Sequence, residues 1–280
     1  MTSEPTGRAA LAVFVMATTM AAALAPLPAA AQAATQAAAP GEASGWRFTV
    51  GGGVFVGPDY SGSDDYEVRA APVLKVQKDN FYIKTDGPGV RANVIPHGRF
   101  EFGPVLRYGG GRDDVEDAVV DRLPDVDDAF WVGVFAAYKV PGVFGERDAL
   151  GFEVEAVEAT SGDNGAAVKL GVDYGRQVTK RLMLGVGLST SYVDGDYADT
   201  YFSVSAAGAA ASGLARYDAG SGFRDATLSL TGRFAVTESI GVGAVAGVSR
   251  MLGDAADSPV VDDRGTATPV FGGAFVTYSF

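Results

Sequence analysis

The chain has 280 residues, 47% of them hydrophobic, and 22 Lys and Arg against 34 Asp and Glu give a formal net charge of −12. It contains no Cys, which excludes an acylated N-terminal Cys, a disulfide framework and a thiolate metal site, and the acidic balance argues against nucleic acid as a partner. Beyond the first thirty or so residues no apolar run is long enough to span a membrane as a helix, so the apolar content must be used in another way.

At the N-terminus, Arg8 precedes an apolar run from Leu11 to Ala25, followed by Pro26, Pro28 and Ala29-Ala30-Ala31. This is the pattern of a secretory signal with a small-residue cleavage site, and a run of that length falls short of the ~20 residues a spanning helix needs. Residues 1–31 are therefore expected to be a signal peptide, with the mature chain beginning near Gln32. Residues 32–45 are Ala, Gln and Gly with little to bury and are expected to form a flexible leader. The remainder, 46–280, is expected to be one domain.

That domain alternates. Apolar and polar residues exchange with a period of two over 46–56, 66–76, 80–85, 89–95, 99–109, 129–140, 149–159, 166–176, 181–193, 223–235, 239–250 and 268–280. In the ninth segment Leu182, Leu184, Val186 and Leu188 oppose Gly185, Gly187, Ser189 and Ser191. In the tenth Ala226, Leu228, Leu230 and Phe234 oppose Asp225, Thr227, Ser229, Thr231 and Arg233. The last segment carries Val270, Ala274, Val276, Tyr278 and the terminal Phe280 on one face, with Thr277 and Ser279 on the other. A segment of ~10 residues at ~3.3 Å per residue, tilted ~40°, covers the ~25 Å apolar height of an outer membrane. The pattern predicts an all-β fold, a transmembrane antiparallel up-and-down β-barrel of about twelve strands. Ten is the alternative count, because the third and fourth segments are short.

The connections support that topology. Those at 77–79, 96–98, 141–148, 177–180 and 236–238 are short, and those at 57–65, 110–128, 161–165, 194–222 and 252–267 include every long one. Outer-membrane barrels keep short turns in the periplasm and long loops outside, so the parity sets the orientation and the location, the bacterial outer membrane. Asn164-Gly165 in the shortest outer loop predicts a tight hairpin turn.

Charged residues fall opposite the apolar stripes: Arg69, Lys75, Lys84, Arg91, Arg107, Lys139, Lys169 and Arg233, with Glu67, Glu101, Glu153, Glu155, Asp173 and Asp225. They predict a hydrated lumen laced with ion pairs, serving either to solvate a narrow interior or to line a small pore that tolerates anions. The acidic excess must then lie mainly in the loops. The 110–128 loop holds Asp113, Asp114, Glu116, Asp117, Asp121, Asp125, Asp127 and Asp128 against Arg112 and Arg122. It could bridge lipopolysaccharide through divalent cations, although its spacing matches no EF-hand, and no metal or cofactor site is assigned. His97, the lone His, falls in the 96–98 turn on the periplasmic side, away from the leaflet on which a barrel lipase or acyltransferase would act. No catalytic residue is assigned and the chain is not expected to be an enzyme. The Gly-rich stretches at 51–53 and 241–243 read as strand glycines.

The loops also carry a family likeness. Gly57 to Tyr66 (GPDYSGSDDY), Arg122 to Asp127 (RLPDVD), Tyr201-Phe202 followed by Ser212 to Gly220 (SGLARYDAG), and Leu252 to Pro259 (LGDAADSP) together resemble the MltA-interacting protein (MipA/OmpV) family of outer-membrane proteins, with Ser203 standing where Gly is expected. The resemblance implies a non-catalytic scaffold that joins a lytic transglycosylase to a murein synthase during peptidoglycan growth. Partner contacts would then fall on the periplasmic rim, where Val143, Phe144, Glu146 and Arg147 form the longest inner connection; a turn with a buried Phe is the ordinary reading of that segment. A narrow channel for small solutes is the alternative, and a lipid-modifying enzyme the third reading. Besides murein enzymes, the implied partners are outer-membrane lipid and lipopolysaccharide.

Overall fold

A computed structural model describes residues 45–95, 97–109, 111–160 and 164–280; the expected signal peptide and nearly all of the leader lie outside them. Twelve antiparallel strands close into one barrel: β1 (Arg47–Pro58), β2 (Tyr66–Lys78), β3 (Phe81–Thr85), β4 (Gly89–Asn93), β5 (Phe100–Gly109), β6 (Ala129–Pro141), β7 (Asp148–Ala159), β8 (Ala166–Gln177), β9 (Leu182–Val193), β10 (Gly222–Ala235), β11 (Ile240–Met251) and β12 (Val270–Ser279). Each strand pairs with its sequence neighbours, and β1 pairs with β12 in the register Thr49↔Ser279. Phe48 and Phe280 exchange two backbone hydrogen bonds of 3.0 Å, and their rings stack with centroids 5.7 Å apart, fastening the seam at the chain's end. Every strand begins and ends within two residues of its expected bounds.

The side chains sort as the alternation requires. Leu188, Leu230 and Val276 are more than half exposed, whereas Thr227, Ser229 and Thr231 are buried inside. Exposed apolar residues of this kind continue around the sheet, from Val50 and Val54 of β1 to Tyr278 of β12. A soluble monomer does not present a continuous apolar surface of that extent, and hydrocarbon is the medium that accepts it. The turns after β2, β4, β6, β8 and β10 are short and define the inner end. The segments after β1, β5, β9 and β11 run long and define the outer end.

Two departures from an even cylinder matter for function. First, β3 and β4 are five residues each, about 16 Å of strand against about 40 Å for a neighbour such as β2, so their hairpin lines only the inner part of the wall. Second, the long outer segments are folded. A 3-10 turn at Val120–Arg122 and four short helices occupy them: α1 (Gly195–Phe202), α2 (Ala206–Ser212), α3 (Gly253–Asp257) and α4 (Pro259–Asp262). Three of the four helix starts, those of α1, α2 and α4, are capped from their own sequence. Asp194 accepts from the Tyr197 N–H at 2.9 Å, Ser205 from Gly208 at 3.0 Å and Ser258 from Val260 at 3.3 Å, each satisfying a donor that a helix leaves open.

Candidate functional site

The lumen has three levels. At the outer level, the folded segments form a lid with its own apolar cores. Trp131 of β6 and Val193 of β9 meet Tyr197, Tyr201 and Phe202 of α1, Met251 of β11 and Val261 of α4, all buried. A second cluster joins Tyr60, Val115, Val120, Leu123, Val204, Leu214 and Val260, drawn from four different outer segments. Polar bonds tie the same segments together: Ser258 donates to the Phe202 carbonyl at 2.6 Å, Tyr60 to the Arg264 carbonyl at 3.2 Å and Tyr217 to the Asp254 carbonyl at 3.0 Å. Ser203, the departure from the family pattern, accepts the Ala219 N–H at 2.8 Å and so fixes the stretch after α2.

Several acidic-loop carboxylates are engaged within this lid rather than gathered around an ion. Asp117 bonds Arg264 and accepts from the Val119 and Val120 N–H groups at 2.8 and 2.9 Å, and Asp128 bonds Tyr108 and the Gly111 N–H. Burial opposes ionisation of Asp117, but the Arg264 guanidinium and the two N–H groups outweigh it and hold the carboxyl below the usual carboxylate range. Among the described residues, no group of three or more His, Asp or Glu is placed to hold a metal.

At the middle level, charges cross the lumen as a network. Arg91 of β4 reaches Glu153 at 2.6 and 3.1 Å, Glu155 at 2.8 Å and Asp86 at 2.8 Å. Arg107 of β5 grips Glu155 at 2.9 and 2.6 Å and Asp86 at 2.6 Å. The Arg91 guanidinium also lies 4.4 Å from the Phe135 ring centroid. Lys169 stands opposite Glu155 on the β7–β8 ladder, and Lys139 pairs with Glu101 at 2.7 Å, which also accepts from the Tyr82 hydroxyl at 2.8 Å. Asp86 sits at the tip of the short β3–β4 hairpin, so this network also anchors that tip inside the barrel.

At the inner level lies an open vestibule of about 240 Å³, with Arg47, Lys75, Lys180, Arg181 and Arg233 in its lining against one carboxylate, Glu238. Phe275 forms part of its wall and stacks under Arg233 at 5.0 Å. The ring fits because Gly53 and Gly243 flank it: a Cβ at Gly243 would come within 2.3 Å of the Phe275 ring.

All fourteen lumen charges expected from the sequence face inward, none of them exposed. The structure brings Arg91, Arg107, Glu153 and Glu155 into one network and leaves Lys75, Lys84 and Arg233 on the cationic side. Sequence reasoning missed the lid helices and the roles of Asp86, Arg224 and Trp131. Arg224, paired with Asp225 and donating to the Tyr197 hydroxyl, lies beside a register shift between β9 and β10, which interrupts the alternation that would have marked it. The helix caps Asp194, Ser205 and Ser258 were the one readable signal of the lid. His97 is exposed in the inner-end turn, as expected. Phe144 is also exposed, at 76%, where a buried ring is the ordinary reading; its ring meets that of Tyr174 edge-on, with centroids 5.6 Å apart.

Comparison with known proteins adds relatives. A family model described as MltA-interacting protein MipA matches residues 50–280. A putative outer membrane protein, YiaT, of Escherichia coli K12 is 26% identical over 219 residues, 73% of this chain and 80% of its own length. Among solved structures, an outer membrane channel from Pseudomonas putida F1 is similar at 11% identity and a TM-score of 0.48, covering 86% of this chain and 99% of that one. OmpT, an outer membrane protein of Vibrio cholerae, is similar at 8% identity and a TM-score of 0.38, covering 84% and 97%.

Proposed function

The chain belongs to the MltA-interacting protein MipA family and is an outer-membrane β-barrel, and from this premise we propose that it is a non-catalytic, narrow and gated passage for small anionic solutes. The observation that carries the reading is the inner vestibule, where five cationic side chains and one carboxylate line an opening of about 240 Å³. A low-dielectric wall focuses such a field and raises the local concentration of counter-ions. The ion-pair network above it keeps the interior polar, and the lid of α1 to α4 is the gate. The lid rests on loop segments, which open at lower cost than strands of the barrel.

The test is the reversal potential of the full chain in planar bilayers under a salt gradient. Anion selectivity is expected, shifting toward zero in Lys75→Gln/Arg233→Gln. Cation selectivity, or selectivity unaltered by those changes, would overturn the reading.

A second reading rests on a different observation. The inner connection between β6 and β7 presents Phe144 at 76% exposure beside Val143 at 37%, and the family is described by its interaction with MltA. Under this reading the periplasmic rim docks a lytic transglycosylase, and through it a murein synthase, while the barrel anchors both in outer-membrane lipid and lipopolysaccharide. Cross-linking in intact envelopes should then capture such an enzyme on the native chain and lose it on Phe144→Ser. Equal capture by both chains would remove Phe144 from the contact.

A further inference from the structure

The barrel wall is broken on one side. Residues Lys75 to Lys78 of β2 pair with β3, but among the described residues no strand pairs the same edge of β2 from Leu74 back to Tyr66. The Leu74 N–H donates to the Thr85 hydroxyl at 3.0 Å, and that hydroxyl donates back to the Leu74 carbonyl at 3.4 Å, ending the ladder at the hairpin tip. The two-residue repeat turns the peptide groups of Pro72, Ala70 and Val68 toward the same edge, where Pro72 brings no N–H to be satisfied. Across the gap, pairing of β4 with β5 stops at Gly89↔Arg107, with one further bond from the Tyr108 N–H to the Pro88 carbonyl. Val68 and Leu74, 65% and 47% exposed, point outward along the edge, so the break lies within the apolar belt. A sheet edge left open to hydrocarbon is costly unless it borders water or another polar occupant.

A cavity of about 100 Å³ sits at this break. Its lining joins Pro72 and Leu74 from the outer face to Lys75, Lys84, Arg233 and Phe275 from the lumen, with one carboxylate, Asp86, which Arg91 and Arg107 already hold at 2.8 and 2.6 Å. Lys75 and Lys84 stand directly opposite each other on the β2–β3 ladder, a like-charge placement that destabilises a sheet. Both are buried, at 8% and 6% exposure, and each ammonium lies over the Tyr82 ring, at 5.4 and 5.0 Å. Among the described residues, neither has a hydrogen-bond acceptor or a carboxylate within ion-pair distance. Two buried ammonium groups facing a cavity call for an anion, and the cavity's other side is the lipid phase.

We propose that the break between β2 and the β3–β4 tip is a side portal that holds a membrane-borne amphiphile with an anionic headgroup. The head lies between Lys75 and Lys84 beside Arg233, and the chain passes Pro72 and Leu74 into the bilayer. Phe55, Val245 and Phe275 supply the apolar wall for its first methylenes. The proposal goes beyond the passage reading and does not need the lumen to conduct, so either can fail alone.

The test is binding of dodecyl phosphate, dodecanol and inorganic phosphate to the full chain in a neutral detergent. Dodecyl phosphate should bind at least about tenfold more tightly than either of the others, and Lys75→Gln/Lys84→Gln should lose about that factor. Lys75→Arg/Lys84→Arg should retain it, and heat-modifiable migration of each variant checks that the barrel is formed. Dodecanol binding as tightly as dodecyl phosphate would reduce the site to apolar partition. Inorganic phosphate binding as tightly would make it a head-only anion site reached from the vestibule. Either result overturns the portal, as does a folded double Gln variant with unchanged affinity.

Discussion

Arg91 meets three carboxylates, Asp86, Glu153 and Glu155, while its own side chain is wholly buried. Removing one partner of a buried ion network leaves the others uncompensated, which costs more than the network contributes net. Arg91→Met should therefore destabilise the barrel by about 3–5 kcal/mol, read as the midpoint of urea unfolding from liposomes. Arg91→Met/Glu153→Gln should recover part of the loss, and equal losses in the single and double variants would show that charge is not the cause. In the lid, Asp117 gives a pH dependence. Its folded pKa is depressed, so its contribution is complete above the unfolded value of about 3.9 and is lost as pH falls through the folded one. Protease cleavage of the lid should accelerate below about pH 4 in the native chain and be already elevated at neutral pH in Asp117→Asn; a native rate that stays flat across that range would contradict this. Inward charges could be read from sequence because each lies on a strict two-residue repeat. Their partners could not, since Arg91 and Glu153 are separated by 62 positions and meet only once the barrel closes.

Alternation fixes a strand because one slipped residue would send every charge into lipid, and this is why twelve strands could be placed from sequence to within two residues. The short β3 and β4 were legible as segments, but not as a break in the wall, since height depends on what their neighbours do. Lid helices were illegible for another reason. They have eight, seven, five and four residues, too few turns for a helical period to stand out or for a helix to persist alone. They depend on the cores beneath them and, in α1, α2 and α4, on their caps. Asp194→Ala should therefore cost about 1 kcal/mol, seen as faster amide exchange in α1 with β9 unaffected. A uniform change over both elements would mean that α1 and the barrel open together. Gly165 shows the same dependence at a turn: its φ is +70° and a Cβ there would meet Asp194 and the Tyr197 N–H at 2.2 and 2.3 Å, so the hairpin and the start of α1 were built together.

At the scale of the whole molecule, the closed sheet removes free strand edges everywhere but beside the short hairpin, and its apolar exterior commits the chain to a membrane. Charge is distributed by level, with an acidic lid built over apolar cores outside, paired ions at the middle and net cations at the inner mouth. That ordering is the basis for a gated passage, and single-channel recording tests it most directly. The full chain should give small, intermittent anionic currents, and a variant with residues 195–220 replaced by a short linker should give larger and steadier ones, with the barrel intact by heat-modifiable migration. A folded variant as electrically silent as the full chain would contradict the account, because the lumen would then be sealed below the lid.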